Sequence, residues 1–115
     1  MQFSGIDYLK REIKIQKKLD HPHIIKLYHY FEDKDNVYLV LEYAKNGNLF
    51  FYLRKKKTLT EKEAFIYFFQ TCVGIDYLHK KGILHRDLKV MKAFQQKIIY
   101  LSLARKPFTR CKWQY

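Results

Sequence analysis

Glycine and proline are scarce: the 115 residues contain four Gly and two Pro, too few for collagen-like repeats or low-complexity linkers. Cysteine is limited to Cys72 and Cys111, far apart and with no second pair. That excludes a disulfide framework and a cysteine-based zinc site, and leaves two free thiols. No window approaches 18 apolar residues, and Met1-Gln2-Phe3-Ser4 does not open a charged-then-apolar leader. Neither a membrane span nor export is indicated, and cytoplasm or nucleus is the expected compartment. Acid is absent from the end of the chain: all 11 Asp and Glu lie at or before Asp87, while 23 Lys and Arg bring the net charge to +12.

What is present suffices for one small packed domain, with 48% hydrophobic and 17% aromatic residues, a composition that excludes disorder. The basic tail carries Phe94, Tyr100, Phe108, Trp113 and Tyr115, rings that could stack on bases beside phosphate-neutralising cations. It lacks Gly-rich loops, a zinc pattern or an RNA-binding signature, so nucleic acid is not the expected partner.

Apolar positions at Ile6, Leu9, Ile13, Ile15 and Leu19 recur at helical spacing and predict an amphipathic helix from Ser4 to Leu19, capped by Ser4 and stopped by Pro22. The β-branched and aromatic runs Ile24–Phe31 and Val37–Leu41, separated by the polar turn Glu32–Asn36, predict two antiparallel strands. Lys45-Asn46-Gly47-Asn48 breaks the pattern, and Leu49–Leu53 resumes it as a short helix ending in Arg54–Lys57. That basic run reads as a solvated turn. Thr60 and Glu63 form a capping box ahead of Phe65, Phe68, Phe69, Cys72, Ile75 and His79, a helix whose apolar face is expected in the core or in an interface. Tyr28, Tyr30 and Phe31 read the same way. Gly82 stands where a left-handed residue closes the helix. His21 and His23 lack the further ligands a metal needs.

After that helix comes the abrupt turn His85-Arg86-Asp87-Leu88-Lys89, whose ionisable side chains are costly to bury unpaired. An Asp beside Arg and Lys stays ionised and can accept a hydroxyl proton, and a Lys two residues on can neutralise a transferring phosphoryl group.

The string Tyr77-Leu78-His79-Lys80-Lys81-Gly82-Ile83-Leu84-His85-Arg86-Asp87-Leu88-Lys89 closely resembles the end of helix E and the catalytic loop of eukaryotic protein kinases, with Lys89 in the manner of the serine/threonine branch. Arg11–Gln16 and Leu19–Ile25 resemble helix C and the loop into strand 4, and Val37–Ala44 resembles strand 5 and the hinge. The resemblance runs over roughly residues 8 to 89, in the family's order. Its wording is nearest to Aurora-like kinases, with Polo-like and calmodulin-dependent types close behind.

The resemblance implies an α+β fold, an incomplete two-lobed kinase: residues 1–89 as a partial domain (small-lobe remnant 1–41, hinge 42–47, start of the large lobe 48–89), then a divergent basic tail over 90–115. It makes Glu12 the helix-C acid that pairs with a strand-3 lysine, Leu41 the gatekeeper, and Glu42 and Ala44 the hinge positions whose backbone bonds adenine. Asp87 becomes the catalytic base, Lys89 the γ-phosphate contact and Arg86 the anchor for a phosphorylated activation loop. His85, Leu27 and Gln16 join an internal stack. The implied cofactors are ATP and Mg²⁺, and the implied partners are a protein substrate or regulator.

The departures bear on activity. No Gly-rich phosphate loop and no strand-3 lysine stand in the sequence, and Val90-Met91-Lys92 follows Lys89 where the family has Pro-Glu-Asn. A Lys cannot ligate Mg²⁺. Lys97–Arg105 only echoes the strand into Asp-Phe-Gly, with Tyr100 at the metal-binding position. The expectation is a kinase-family chain that does not by itself grip nucleotide or turn over, and that without companions for its two-stranded sheet is molten, aggregation-prone or partner-dependent. The competing expectation is a non-catalytic interaction module, like a pseudokinase, that binds a kinase or regulator.

Overall fold

The computed structural model describes residues 5–86, 88, 93–94 and 97–98. Helix α1 spans Gly5–Lys17, strands β1 and β2 span Leu27–Glu32 and Val37–Leu41, helix α2 spans Leu49–Lys56, and helix α3 spans Glu61–Lys80. Two short strands follow, β3 at Ala93–Phe94 and β4 at Lys97–Ile98, paired antiparallel. The α+β content agrees with the fold read from the sequence. The described residues form two compact units, residues 5–20 with 26–43, and residues 21–25 with 44–98.

In the first unit, α1 ends where Lys18 and Leu19 donate to the carbonyls of Ile15 and Gln16 at 3.0 and 3.1 Å, a tightened last turn that satisfies orphan carbonyls. The end comes two residues before the predicted Leu19. Leu9, Ile13, Gln16 and Leu19 are buried, the i, i+3, i+4 stripe of an amphipathic helix. The predicted cap Ser4 lies outside the described residues. β1 and β2 pair antiparallel with Leu27 opposite Leu41 and Glu32 opposite Val37, and the register shifts between Leu27 and His29, so Tyr28 is an extra residue on one strand. The turn is held by one side chain. The Asp33 carboxylate accepts from the Asp35 and Asn36 N–H groups at 2.9 and 2.8 Å and from the Tyr38 hydroxyl at 2.8 Å, bonds that lower its pKa.

β1 starts three residues later than predicted, because Ile24–Lys26 is not strand. His21–Ile25 instead closes a turn in the second unit: the Ile24 N–H donates to the His21 carbonyl at 3.1 Å, and the His23 N–H donates to His21 Nδ1 at 3.0 Å. Ile24 and Ile25 are buried there. Alternation alone does not distinguish such an apolar turn from a strand end.

Also in the second unit, Asn48 caps α2 by accepting from the Phe51 N–H at 3.0 Å. The helix then runs through Arg54, Lys55 and Lys56, so most of the basic run is helical rather than a turn. Lys57 closes it at φ +71° with its N–H on the Leu53 carbonyl at 2.7 Å. Cations over the last turn complement the negative end of the helix. The capping box of α3 is present as predicted: the Glu63 N–H donates to Thr60 Oγ1 at 3.2 Å and the Thr60 N–H to Glu63 Oε2 at 2.9 Å. Glu63 also accepts from the Tyr52 hydroxyl at 2.9 Å and from Lys56 Nζ, which joins α2 to α3. Gly82 ends the helix at φ +72° with its N–H on the His79 carbonyl at 2.9 Å, the left-handed residue expected there.

One part of the core expectation fails. α3 buries Gly74 and Leu78, whereas Phe65, Phe68 and Phe69 are 64%, 68% and 56% exposed and Cys72 is exposed as well. Tyr28 and Phe31 are exposed too. The helical period identified an apolar face, but period carries no information on whether anything lies against it.

Candidate functional site

The hinge positions lie where β2 ends. Glu42 and Lys26 clasp each other across the open end of the strand pair: the Glu42 N–H donates to the Lys26 carbonyl at 2.8 Å, and the Lys26 N–H donates to Glu42 Oε2 at 3.2 Å. Leu41, the gatekeeper by resemblance, is the last residue of β2 and faces Leu27 across the ladder. The Ala44 carbonyl accepts from the Gly47 N–H at 3.0 Å. These bonds use one N–H, at Glu42, and one carbonyl, at Ala44. Glu12 lies half-buried in α1, in the same unit as Leu41 and Glu42.

The loop after α3 holds the other predicted residues. Lys81, Gly82 and Ile83 donate to the carbonyls of Leu78, His79 and Leu78 at 3.0, 2.9 and 2.9 Å, so the helix end is fully wound before the chain leaves it. His85 is buried, 6% exposed. Arg86 follows, exposed and at φ +65°, a left-handed conformation costing about 1–2 kcal/mol for a side chain with a Cβ. Strain of this kind persists where surroundings over-determine it, and it clusters at functional sites. Asp87 and Lys89, the predicted base and phosphate contact, lie outside the described residues, as do Lys92 and Tyr100. Gln16 and Leu27, the other two members of the implied stack, are buried in the first unit, at 0% and 1% exposure.

Sequence reasoning missed the fastening of the His21–Ile25 turn to α3. The His21 ring lies 4.8 Å from the Tyr77 ring, and Lys81 Nζ lies 5.2 Å from the centre of that ring. Tyr77 falls outside the phenylalanine stripe, which is the signal that could have found it: an aromatic away from that face needs a partner. Glu63 was read only as a cap, yet hydrogen bonds from Lys56, Thr60 and Tyr52 lower its carboxyl to about 2.

Among the described residues no group of three His, Cys, Asp or Glu side chains is placed to hold a metal ion, and no helix is long and apolar enough to cross a membrane. By the resemblance Lys92 takes the place of a metal-binding Asn, and an ammonium group has no lone pair to offer magnesium.

The protein kinase domain family matches residues 3–98 of the chain. NUAK family SNF1-like kinase 1 of Mus musculus is 42% identical over 83 residues, 72% of this chain and 13% of that protein. Serine/threonine-protein kinase PLK2 of Mus musculus is 43% identical over 86 residues, 75% of this chain and 13% of its own length. Serine/threonine-protein kinase SIK2 of Gallus gallus is 46% identical over 86 residues, 75% of this chain and 11% of that protein. The chain thus spans between 11% and 13% of the curated relatives it matches.

Proposed function

The chain belongs to the protein kinase domain family, and from that premise we propose that it supplies the hinge and catalytic loop of a serine/threonine kinase and is catalytically silent by itself. Kinases of this family use ATP and magnesium and act on protein substrates. In the proposed parent reaction the serine or threonine hydroxyl attacks the γ-phosphorus of ATP, its proton passes to the Asp87 carboxylate, and ADP leaves. Lys89 neutralises charge on the γ-phosphoryl oxygens, and the backbone of Glu42 and Ala44 takes the adenine. The cytoplasm or nucleus is the proposed compartment.

The observation that carries this reading is the pairing of a buried His85 with a left-handed Arg86. This strained step comes directly after a fully wound helix end and immediately before Asp87 in the sequence. Silence of the chain alone follows from charge. A transferring phosphoryl group is stabilised almost wholly by positioned cations and metal, and residue 92 offers a lysine in place of a metal ligand.

The test is a chimera in which the 86 residues of this chain that match PLK2 replace the corresponding segment of the PLK2 kinase domain. The chimera is expected to phosphorylate a generic basic protein, and Asp87→Asn within it to reduce turnover by at least about 10³-fold. An Asp87→Asn chimera as active as its parent overturns the reading. A second reading, a non-catalytic interaction module, is favoured by one observation, the exposed phenylalanines of α3.

A further inference from the structure

We propose that Asn46 is a site of spontaneous deamidation, where water converts the asparagine to isoaspartate and aspartate in the turn that leads into α2. The inference is independent of the kinase reading, since the reaction needs neither a nucleotide nor a partner protein.

The chain has three asparagines, Asn36, Asn46 and Asn48, and their surroundings differ. Asn36 Nδ2 donates to Asp33 Oδ1 at 3.3 Å, and the β-branched Val37 follows it. Asn48 Oδ1 accepts from the Phe51 N–H at 3.0 Å as the cap of α2, and the buried Leu49 follows it. Both amides are therefore occupied by local bonds, and both stand before a bulky residue. Asn46 is exposed, and its side chain makes no hydrogen bond among the described residues. Its successor is Gly47, also exposed. Gly47 stands at φ +68°, and nothing lies within 4 Å of where a Cβ would be. A glycine nitrogen is the least hindered in a chain, and its backbone has the widest freedom to turn toward a neighbouring side chain.

The chemistry uses only water. The Gly47 nitrogen gives its proton to hydroxide and attacks Asn46 Cγ. The new bond from nitrogen to Cγ closes a succinimide ring, the bond from Cγ to Nδ2 breaks, and ammonia leaves. Water then opens the ring. Addition at Cγ gives aspartate, whereas addition at the main-chain carbonyl gives isoaspartate, in which the chain runs through the side-chain carbons. One water is consumed and one ammonia released, with no change of oxidation state.

One bond opposes the reaction. The Gly47 N–H donates to the Ala44 carbonyl at 3.0 Å, so the nitrogen is free to attack only when this turn opens, and folding acts as a brake. Isoaspartate adds a carbon to the main chain and a carboxylate beside Lys45, immediately ahead of the Asn48 cap.

The test incubates the full chain in mildly alkaline buffer, with a parallel incubation in urea, and locates isoaspartate by peptide mapping with mass spectrometry. Isoaspartate is expected at Asn46 and at neither Asn36 nor Asn48, and conversion should be about fivefold faster in urea, where the turn is open. Gly47→Ala should slow conversion at least about tenfold in both buffers, because a Cβ crowds the attacking nitrogen. The comparison in urea holds even if that substitution disturbs the fold. Absence of isoaspartate at Asn46 in both buffers, equal conversion at Asn36 or Asn48, a Gly47→Ala chain that converts as fast as its parent, or a rate no faster in urea each overturns the proposal.

Discussion

The His21 imidazole lies 4.8 Å from the Tyr77 ring at a tilt of 36°, and this contact fixes an apolar turn onto the last turn of a helix more than fifty residues later in the chain. The turn's own bonds, from Ile24 to the His21 carbonyl and from His23 to His21 Nδ1, orient the imidazole toward that ring. Lys81 adds a cation to the same ring at 5.2 Å. Aromatic and cation contacts of this kind are each worth about 0.5–1.5 kcal/mol. Tyr77→Ala is expected to speed hydrogen exchange at the Ile24 amide about tenfold, while Tyr77→Phe leaves it within twofold. Equal exchange in the alanine variant shows that the turn is held by something else.

Thr60→Ala removes the acceptor for the Glu63 N–H and so opens the capping box. The expected cost is about 1 kcal/mol, confined to the first turn of α3. Exchange at the Glu63 amide should rise about fivefold while the amides of the last turn keep their protection.

Glu63 makes α3 packing sensitive to acid. Its carboxyl is held down to about 2, from an ordinary 4.5, by hydrogen bonds from Lys56, the Thr60 N–H and Tyr52. A depressed folded-state value means that the contribution is complete above about 4.5, shrinks as pH falls below that, and is gone once pH passes through about 2. Carboxyl-carbon NMR should place the Glu63 midpoint near 2, and Glu63→Gln should flatten the decline in helicity between pH 4.5 and 2 relative to the parent. A midpoint at the ordinary value contradicts the bonding described.

Much of this was legible from residues alone. The capping box of Thr60 and Glu63, the left-handed Gly82 and the polar turn centred on Asp33 are local devices, set by side-chain chemistry within a few residues. Membership of the protein kinase family was legible by resemblance, through the string Tyr77–Lys89. The start of β1 was not, because Ile24 and Ile25 are apolar for a purpose alternation does not encode: they pack in the unit that contains α3 rather than in the sheet. Nor was the exposure of Phe65, Phe68 and Phe69, since periodicity names a face without naming what covers it. The join between Tyr52, Lys56 and Glu63 links two helices through side chains, and nothing short of a fold brings them together.

Arg86 gives a prediction with an unusual sign. At φ +65° its Cβ costs about 1–2 kcal/mol, against about 0.5–1 kcal/mol of chain entropy lost by a glycine. Arg86→Gly is therefore expected to leave the fold unchanged or stabilise it by about 0.5 kcal/mol in urea unfolding of the chimeric kinase. At a residue with negative φ the same replacement costs stability. A loss of 1 kcal/mol or more contradicts the left-handed geometry.

The most direct measurement is calorimetric titration of the 115-residue chain with ATP, in the presence and absence of Mg²⁺. With Lys92 where a metal ligand is needed and no Gly-rich loop in the sequence, the expected result is no saturable heat up to about 1 mM nucleotide and no difference on adding magnesium. Saturable, magnesium-dependent binding of ATP contradicts the proposal that this chain alone holds the proton acceptor of a phosphotransferase without the means to grip its nucleotide.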